Sequence, residues 1–260
     1  MTTASPFARR RTSARLRTFA RPQTCVDVLL FTVRDFWERA GELPRLELAL
    51  ISRDREPFKG SLALPGTVMR IEPDTETGEI DGSDLDAARR VLRTKLGVKP
   101  PHLEQLYTWF TRDVDPRGPT TVIGYFALVP FDHFQATAGI TLMPADGLPK
   151  LAFNHNEIAQ KAVERIQGKA SYSNLPALLM PKFFTIKELQ LTYEAVTGRS
   201  FEASNFKKRM LDLKVVEEID ALSPETRKTR ERAAAGQTGR PPSVFRLVER
   251  KLITFAKTAF

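Results

Sequence analysis

Apolar residues fall first in strand-like runs along this chain and later at helical spacing. Residues 26–33, Val-Asp-Val-Leu-Leu-Phe-Thr-Val, read as a buried strand. Residues 46–51, Leu-Glu-Leu-Ala-Leu-Ile, read as its hairpin partner beyond Gly41 and Pro44. Leu85, Ala88, Leu92 and Leu96 recur every three or four positions, with Ser83 placed to cap and Gly97 to stop, which predicts a helix over 85–96. Strands are expected at 106–111 and 121–129 around a turn at 115–118, then a helix at 156–167 and a connector at 171–176.

Beyond residue 180 the spacing is helical. Thr185 can cap a helix whose face is Ile186, Leu189, Tyr193 and Val196, and Gly198 can end it. A second helix over 202–214 buries Phe206, Met210 and Leu213 and leaves Ser204, Asn205, Lys207, Lys208 and Arg209 on its other face. Two short helices joined at a glycine, the second with a polar and basic face, suit a reader of the DNA major groove. Asn205 is the type that pairs with adenine in two bonds, and the cations suit phosphates or guanine edges. Residues 215–219 and 243–247 are expected to pair as a hairpin. Its tip, running from Arg227 through Arg230 to Arg240, reads as a loop forming a basic wing. Thr185, Ser204, Asn205, Lys207, Lys208, Arg209, Arg230 and Arg240 are the candidate DNA-contacting set.

Charge sharpens this division. The chain of 260 residues carries a net charge of +9, placed unevenly. Residues 1–22 hold six arginines and no acid, residues 23–170 sum to −3, and residues 171–260 sum to +6. Basic ends around an acidic middle point to ends that meet a polyanion. Residues 1–22 have the composition of a disordered basic arm, and equally of an organelle transit peptide. One cysteine, Cys25, excludes an internal disulfide and a cysteine-based zinc cluster, and fits a reducing cytoplasm. His102, His133 and His155 are too scattered to suggest a metal site, and no apolar run reaches the ~20 residues that span a bilayer.

From Phe58-Lys-Gly-Ser-Leu-Ala-Leu-Pro-Gly66 to Arg89-Arg-Val-Leu-Arg-Thr-Lys-Leu-Gly-Val98, the sequence resembles the Nudix family, whose signature is G-x5-E-x7-R-E-U-x-E-E-x-G-U. Arg90, Leu92, Gly97 and Val98 match its scaffold positions. The three helical glutamates, which in that family hold magnesium, fall on Val91, Thr94 and Lys95. Thr67 stands at the second glycine, and the loop glutamate falls near Gly82. An insertion carrying Glu72, Asp74, Glu76, Glu79 and Asp81 reads as a solvated loop rather than a substitute metal site.

With Leu151-Ala-Phe-Asn-His155, the 184–198 stretch, Asn205-Phe-Lys-Lys-Arg-Met210 and Gly239-Arg-Pro241, the order of modules resembles the Nudix-related transcriptional regulators of NAD metabolism over residues 24–250. Asn154 departs from that family's usual aspartate. The resemblance implies an α/β (α+β) fold: a Nudix-like α/β/α sandwich with a mixed sheet over residues 23–170, then a winged helix-turn-helix domain over 171–260. It further implies a homodimer on a palindromic double-stranded operator, a non-hydrolytic sensor for ADP-ribose or an NAD-related nucleotide, and no metal cofactor. Arg53, Lys59, Lys95, Arg112 and Arg117 are the candidate ligand-binding cations, since guanidinium forks suit a pyrophosphate. Lys95 in place of a metal-binding carboxylate could neutralise a phosphate without metal. The rival readings are an active pyrophosphatase with an accessory domain, a sugar-responsive regulator of the same architecture, and an organellar nucleic-acid-bound component built on a dead Nudix fold.

Overall fold

A computed structural model describes residues 21–34, 43–133, 139–219, 223–234 and 241–256. Most of the basic arm and Arg240 lie outside the described residues.

The first sheet is built around β1 (Gln23–Val33), which pairs antiparallel with β2 (Leu46–Ser52) and parallel with β6 (Thr120–Leu128). Outside β2 lie β3 (Leu62–Ala63) and β7 (Ile140–Pro144), β4 (Gly66–Val68) extends the sheet along β1, and β5 (His102–Thr111) forms the far edge beside β6. The expected hairpin is present, with Phe31 opposite Leu48. β3, β4 and β7, of two, three and five residues, are too short to have signalled themselves by alternation.

Alternation along β1 explains the layers, because successive side chains point to opposite faces. Val26, Val28 and Leu30 pack with Ala87, Ala88, Val91, Leu92 and Leu96 of the segment comprising helix α1 (Asp84–Val91) and its continuation. Leu29 and Phe31 meet Ile158, Ala162 and Ile166 of α2 (His155–Ala170) on the other face. Both faces are covered, so β1 reads as a nearly unbroken apolar run. Each fully buried Leu, Ile or Phe here contributes roughly 1.5–3 kcal/mol. Ser83 caps α1 by accepting from the Asp86 amide. Beyond Val91 the helix widens into a π turn over Leu92–Leu96, and Gly97 ends it in the left-handed conformation.

The same core runs on without a break through Leu175, Leu178 and Phe184 into Leu189, Tyr193, Phe206, Met210 and Phe245. These belong to a winged-helix unit: β8 (Phe184–Thr185), α3 (Ile186–Thr197), α4 (Ala203–Asp212), β9 (Val216–Ile219), α5 (Pro224–Ala234) and β10 (Val244–Leu247), with sheet order β8-β10-β9. The Thr185 cap is a full capping box with Glu188, and Gly198 ends α3 at φ 67°. The expected hairpin forms from β9 and β10. Its tip departs from expectation: residues 224–234 are helix α5 rather than loop. Thr226, Thr229 and Ala233 are buried, and three- and four-residue spacing is what lets one helical stripe cover a sheet.

Candidate functional site

The reactive corner of the Nudix-like unit centres on Asp27, a lone acid within the apolar β1 and only 7% exposed. Its Oδ2 lies 3.4 Å from His155 Nε2. The Leu64 amide donates to His155 Nδ1 at 2.9 Å, which leaves Nε2 to carry the hydrogen that faces Asp27. Asp27 also explains Gly66: a Cβ there would stand 1.8 Å from Asp27 Oδ1, so any other residue would push the Asp27 carboxylate out of place. The ammonium of Lys95, projecting from the π turn, donates to the Gly66 carbonyl oxygen. Burial lowers the Lys95 pKa, and the negative charge of Asp27 opposes that shift.

The three former glutamate positions are thus accounted for. Val91 is buried in the core, Thr94 Oγ1 donates to the Arg90 carbonyl at 2.8 Å, and Lys95 brings a cation. This donor set does not fit a divalent metal. Three of the five acids of the insertion are engaged as well: Asp81 bonds Arg90 at 2.6 and 2.9 Å, Glu79 pairs with Arg70 and Arg93, and Asp74 pairs with Arg70. Among the described residues no group of three or more His, Cys, Asp or Glu is placed to hold a metal ion. Arg90, the surviving box arginine, also bonds Thr67 Oγ1 and the Val68 carbonyl, clamping β4 and the insertion to α1.

Of the candidate ligand cations, Arg53, Lys95 and Arg117 share one electrostatic neighbourhood. Burial, then the nearby Arg117 and Arg55, lower the Arg53 pKa, and Arg53 also acts on Lys95. Arg117 is held by Asp115 at 2.7 Å. Lys59 is exposed on the same loop as Arg53, and Arg112 is exposed just beyond β5. Cys25, on the same strand, is pushed up to about 11 by burial and then by Asp27, which leaves its thiol unreactive.

Sequence reasoning missed Asp27, His155 and Arg55 as site residues, and also two aromatics. Phe58 and Phe153 touch edge to face with centroids 4.8 Å apart, and the Arg53 guanidinium lies 4.8 Å from the Phe153 ring centre. Both hold positive φ, 62° and 53°, a conformation costing a bulky residue about 1–3 kcal/mol. A lone acid in an apolar strand was a readable signal for Asp27. Nothing in the sequence marks a phenylalanine for positive φ.

In the winged helix, α4 presents Asn205 and Lys208, which are exposed and line an open groove with Glu202, Arg209 and Asp212. Glu202 caps α4, accepting from the Ser204 and Asn205 amides and from the Ser204 hydroxyl at 2.7 Å. Lys207 leans back over the Phe245 ring at 5.5 Å. Thr185 does not belong on the DNA face: it is 4% exposed, and its hydroxyl is committed to Glu188. Arg230 sits on α5, half-buried, directed at the Ile219 carbonyl and lining a second open groove with Arg227. Arg240 lies outside the described residues.

With this geometry the chain can be compared with known proteins. Residues 176–247 match the model of the NrtR DNA-binding winged helix domain. The chain is 34% identical over 206 residues, 76% of either chain, to the ADPR responsive transcriptional repressor NtrR of Acinetobacter baylyi. It belongs to the NrtR family. Shewanella oneidensis NrtR superimposes on this NrtR-family chain with a TM-score of 0.70 at 26% identity, covering 91% of this chain and 99% of that one. NrtR from the same organism complexed with a 27mer DNA superimposes with a TM-score of 0.69 at 25% identity, covering 90% and 98%. The expected fold, a Nudix-like mixed sheet joined to a winged helix, is the one observed. No described helix is long and apolar enough to cross a membrane.

Proposed function

We propose that this NrtR-family chain is a ligand-responsive transcriptional repressor of NAD-metabolism genes. It acts as a cytoplasmic homodimer on a palindromic operator. Residues 23–170 bind ADP-ribose or a related nucleotide without hydrolysing it, and residues 171–260 grip the DNA. The start of the winged-helix family match at residue 176 supports that division.

One observation carries the sensor reading: Lys95 places an ammonium against Gly66, where the Nudix pattern calls for a metal-binding carboxylate. Hydrolysis of a pyrophosphate on this fold needs a metal to polarise it and to generate the attacking hydroxide. The residues at the three glutamate positions supply no ligands for one. They favour instead a bound diphosphate neutralised by Lys95, Arg53 and Arg117, with Lys59 and Arg112 at the rim, in a site that needs no metal. On the DNA side, we assign Asn205 to a base edge and Ser204, Lys207, Lys208, Arg209 and Arg230 to phosphates or guanine edges, with the exposed Asn205 and Lys208 of α4 as support. The similarity to the ADPR responsive repressor of Acinetobacter and to the Shewanella NrtR complexed with a 27mer DNA supports both halves.

The decisive experiment is a gel shift on the chain's own upstream region, titrated with ADP-ribose, NAD and simple sugars in buffer containing EDTA. A shift that responds to ADP-ribose is expected. Absence of any shift at low and moderate salt would sink the repressor reading, and magnesium-dependent release of AMP from ADP-ribose would overturn the non-hydrolytic sensor.

A further inference from the structure

The loop between β2 and β3 is fastened at both ends. The Arg53 amide donates to the Ser61 carbonyl at 3.0 Å, the Gly60 amide to the Arg53 carbonyl at 2.9 Å, and Arg53 Nε to the Pro57 carbonyl at 2.7 Å. What this rigid loop offers to solvent is a phenylalanine: Phe58 is 38% exposed and holds a left-handed backbone conformation. The loop that leads into α2 offers Phe153 in the same conformation, and the Ala152 amide ties it to Leu62 at 2.9 Å.

The exposed part of the Phe58 ring gains nothing from burial, and a left-handed phenylalanine costs conformational energy, so both penalties fall on one residue. Strain of this kind collects where a ligand is clamped. Phe153 is already occupied: the Arg53 guanidinium lies over its ring, Phe58 meets it edge to face, and His155 lies 5.3 Å away. Phe58 rests on the edge of Phe153 and is the more exposed of the two, so Phe153 acts as the support and Phe58 as the presenting ring. From that ring a chain of contacts runs through Phe153 and His155 to Asp27, with Arg53, Arg55 and Lys95 close enough to act on one another electrostatically. A flat aromatic surface beside a cationic cluster is complementary to a nucleoside diphosphate: base on the ring, phosphates on the cations.

We propose that Phe58, braced by Phe153, is the stacking platform for the nucleobase of the effector, and so selects base-bearing diphosphates over sugar phosphates. This rests on the sensor reading above. The base adds stacking attraction, and Arg53 is shared between the platform and the phosphate end, so both parts of one ligand are held by one braced loop.

Calorimetric titration of the full chain with ADP-ribose, ADP and ribose 5-phosphate tests the proposal, using Phe58→Leu, which keeps bulk but loses the π face, and Phe58→Tyr, which keeps both. Stacking of a base on an aromatic side chain predicts a loss of about tenfold or more in ADP-ribose and ADP affinity for Phe58→Leu, and near-native affinity for Phe58→Tyr. Ribose 5-phosphate binding should be the same in all three proteins, as should operator binding without effector. Native ADP-ribose affinity in Phe58→Leu would overturn the platform while leaving the sensor intact. An equal loss for ribose 5-phosphate would also overturn it, marking Phe58 as a loop-shaping residue only. If the unaltered chain binds none of the three ligands, both the sensor reading and the platform fall.

Discussion

Replacing Arg90 by methionine tests why the box arginine persists where the glutamates are gone. Its guanidinium makes a forked pair with Asp81 at 2.6 and 2.9 Å, and both side chains are under 10% exposed. Two further bonds, 3.0 Å to Thr67 Oγ1 and 3.2 Å to the Val68 carbonyl, hold β4 against the helix. Removing the cation leaves a buried carboxylate without its forked partner and with only the weaker pull of Arg70, a loss on the order of 3–5 kcal/mol. Arg90→Lys cannot reproduce the fork and should cost about half of that. Asp81→Leu combined with Arg90→Met removes both charges and should recover most of the loss, since a buried pair is worth little against apolar replacements. Urea unfolding of the full chain, followed by circular dichroism, measures all four proteins.

The pH dependence carries the same signature. The hydrogen bonds from Arg90 hold the Asp81 carboxyl below its ordinary 3.8 despite its burial. A depressed carboxylate contributes stability that is fully present above the unfolded pKa and is lost as pH falls through the folded one. Unaltered protein therefore loses this contribution below about pH 4, and Arg90→Met lacks it at every pH. A cost under about 1 kcal/mol for Arg90→Met would refute the clamp.

Other outcomes follow from the same geometry. Glu104 stands between His102 and Lys169; burial raises its carboxyl, but the bonds from His102 and Lys169 bring it down to about 2. Glu104→Gln should lower stability at neutral pH and flatten its fall between the ordinary 4.5 and about 2, read from unfolding midpoints against pH. Lys95→Glu puts an anion beside Asp27 and should weaken ADP-ribose binding in EDTA by more than about tenfold through like-charge repulsion, with unchanged affinity refuting the phosphate role. Lys208→Ala should weaken operator binding across sequences and reduce the slope of log affinity against log salt by about one, whereas Asn205→Ala should relax preference at one base position. Glu188→Ala breaks the α3 capping box and the 2.9 Å pair to Arg232, and a drop of about 2 kcal/mol or more is expected by differential scanning fluorimetry.

The elements legible in the sequence were those whose periodicity and caps agreed. α3 was readable because Thr185, the Leu189-Tyr193-Val196 face and Gly198 all point to one helix. α5 was not, because its buried face is Thr226, Thr229 and Ala233, two of them polar, in a stretch otherwise dominated by charge. Thr185 was legible as a cap and misread as a DNA contact, since nothing local reveals that β10 covers it. In the cleft, Lys95 was visible by register against the signature. The pairing of Asp27 with His155 joins β1 to the start of α2 on the sheet face that α2 covers and is set by tertiary packing alone.

The continuity of the core bears on how a sensor could act on DNA at all. β1 carries Asp27 beside His155 and, six residues or roughly 20 Å along, Val33. Val33, Phe131 and Asp132 face Leu179, Met180, Glu188, Thr192 and Arg232 around a cavity of about 60 Å³, and Arg250 bonds the Met180 carbonyl beside it at 2.9 Å. A void of a few waters at a boundary otherwise filled by side chains is the place where that boundary has packing left to change. Contiguity by itself supplies no coupling energy. A ligand shifts the winged helix only if it binds one packing of this boundary more tightly than another. Filling the cavity with a larger side chain at Thr192 should therefore change the effector's influence on operator binding more than it changes either affinity alone. Equal and independent changes in both would place the coupling elsewhere.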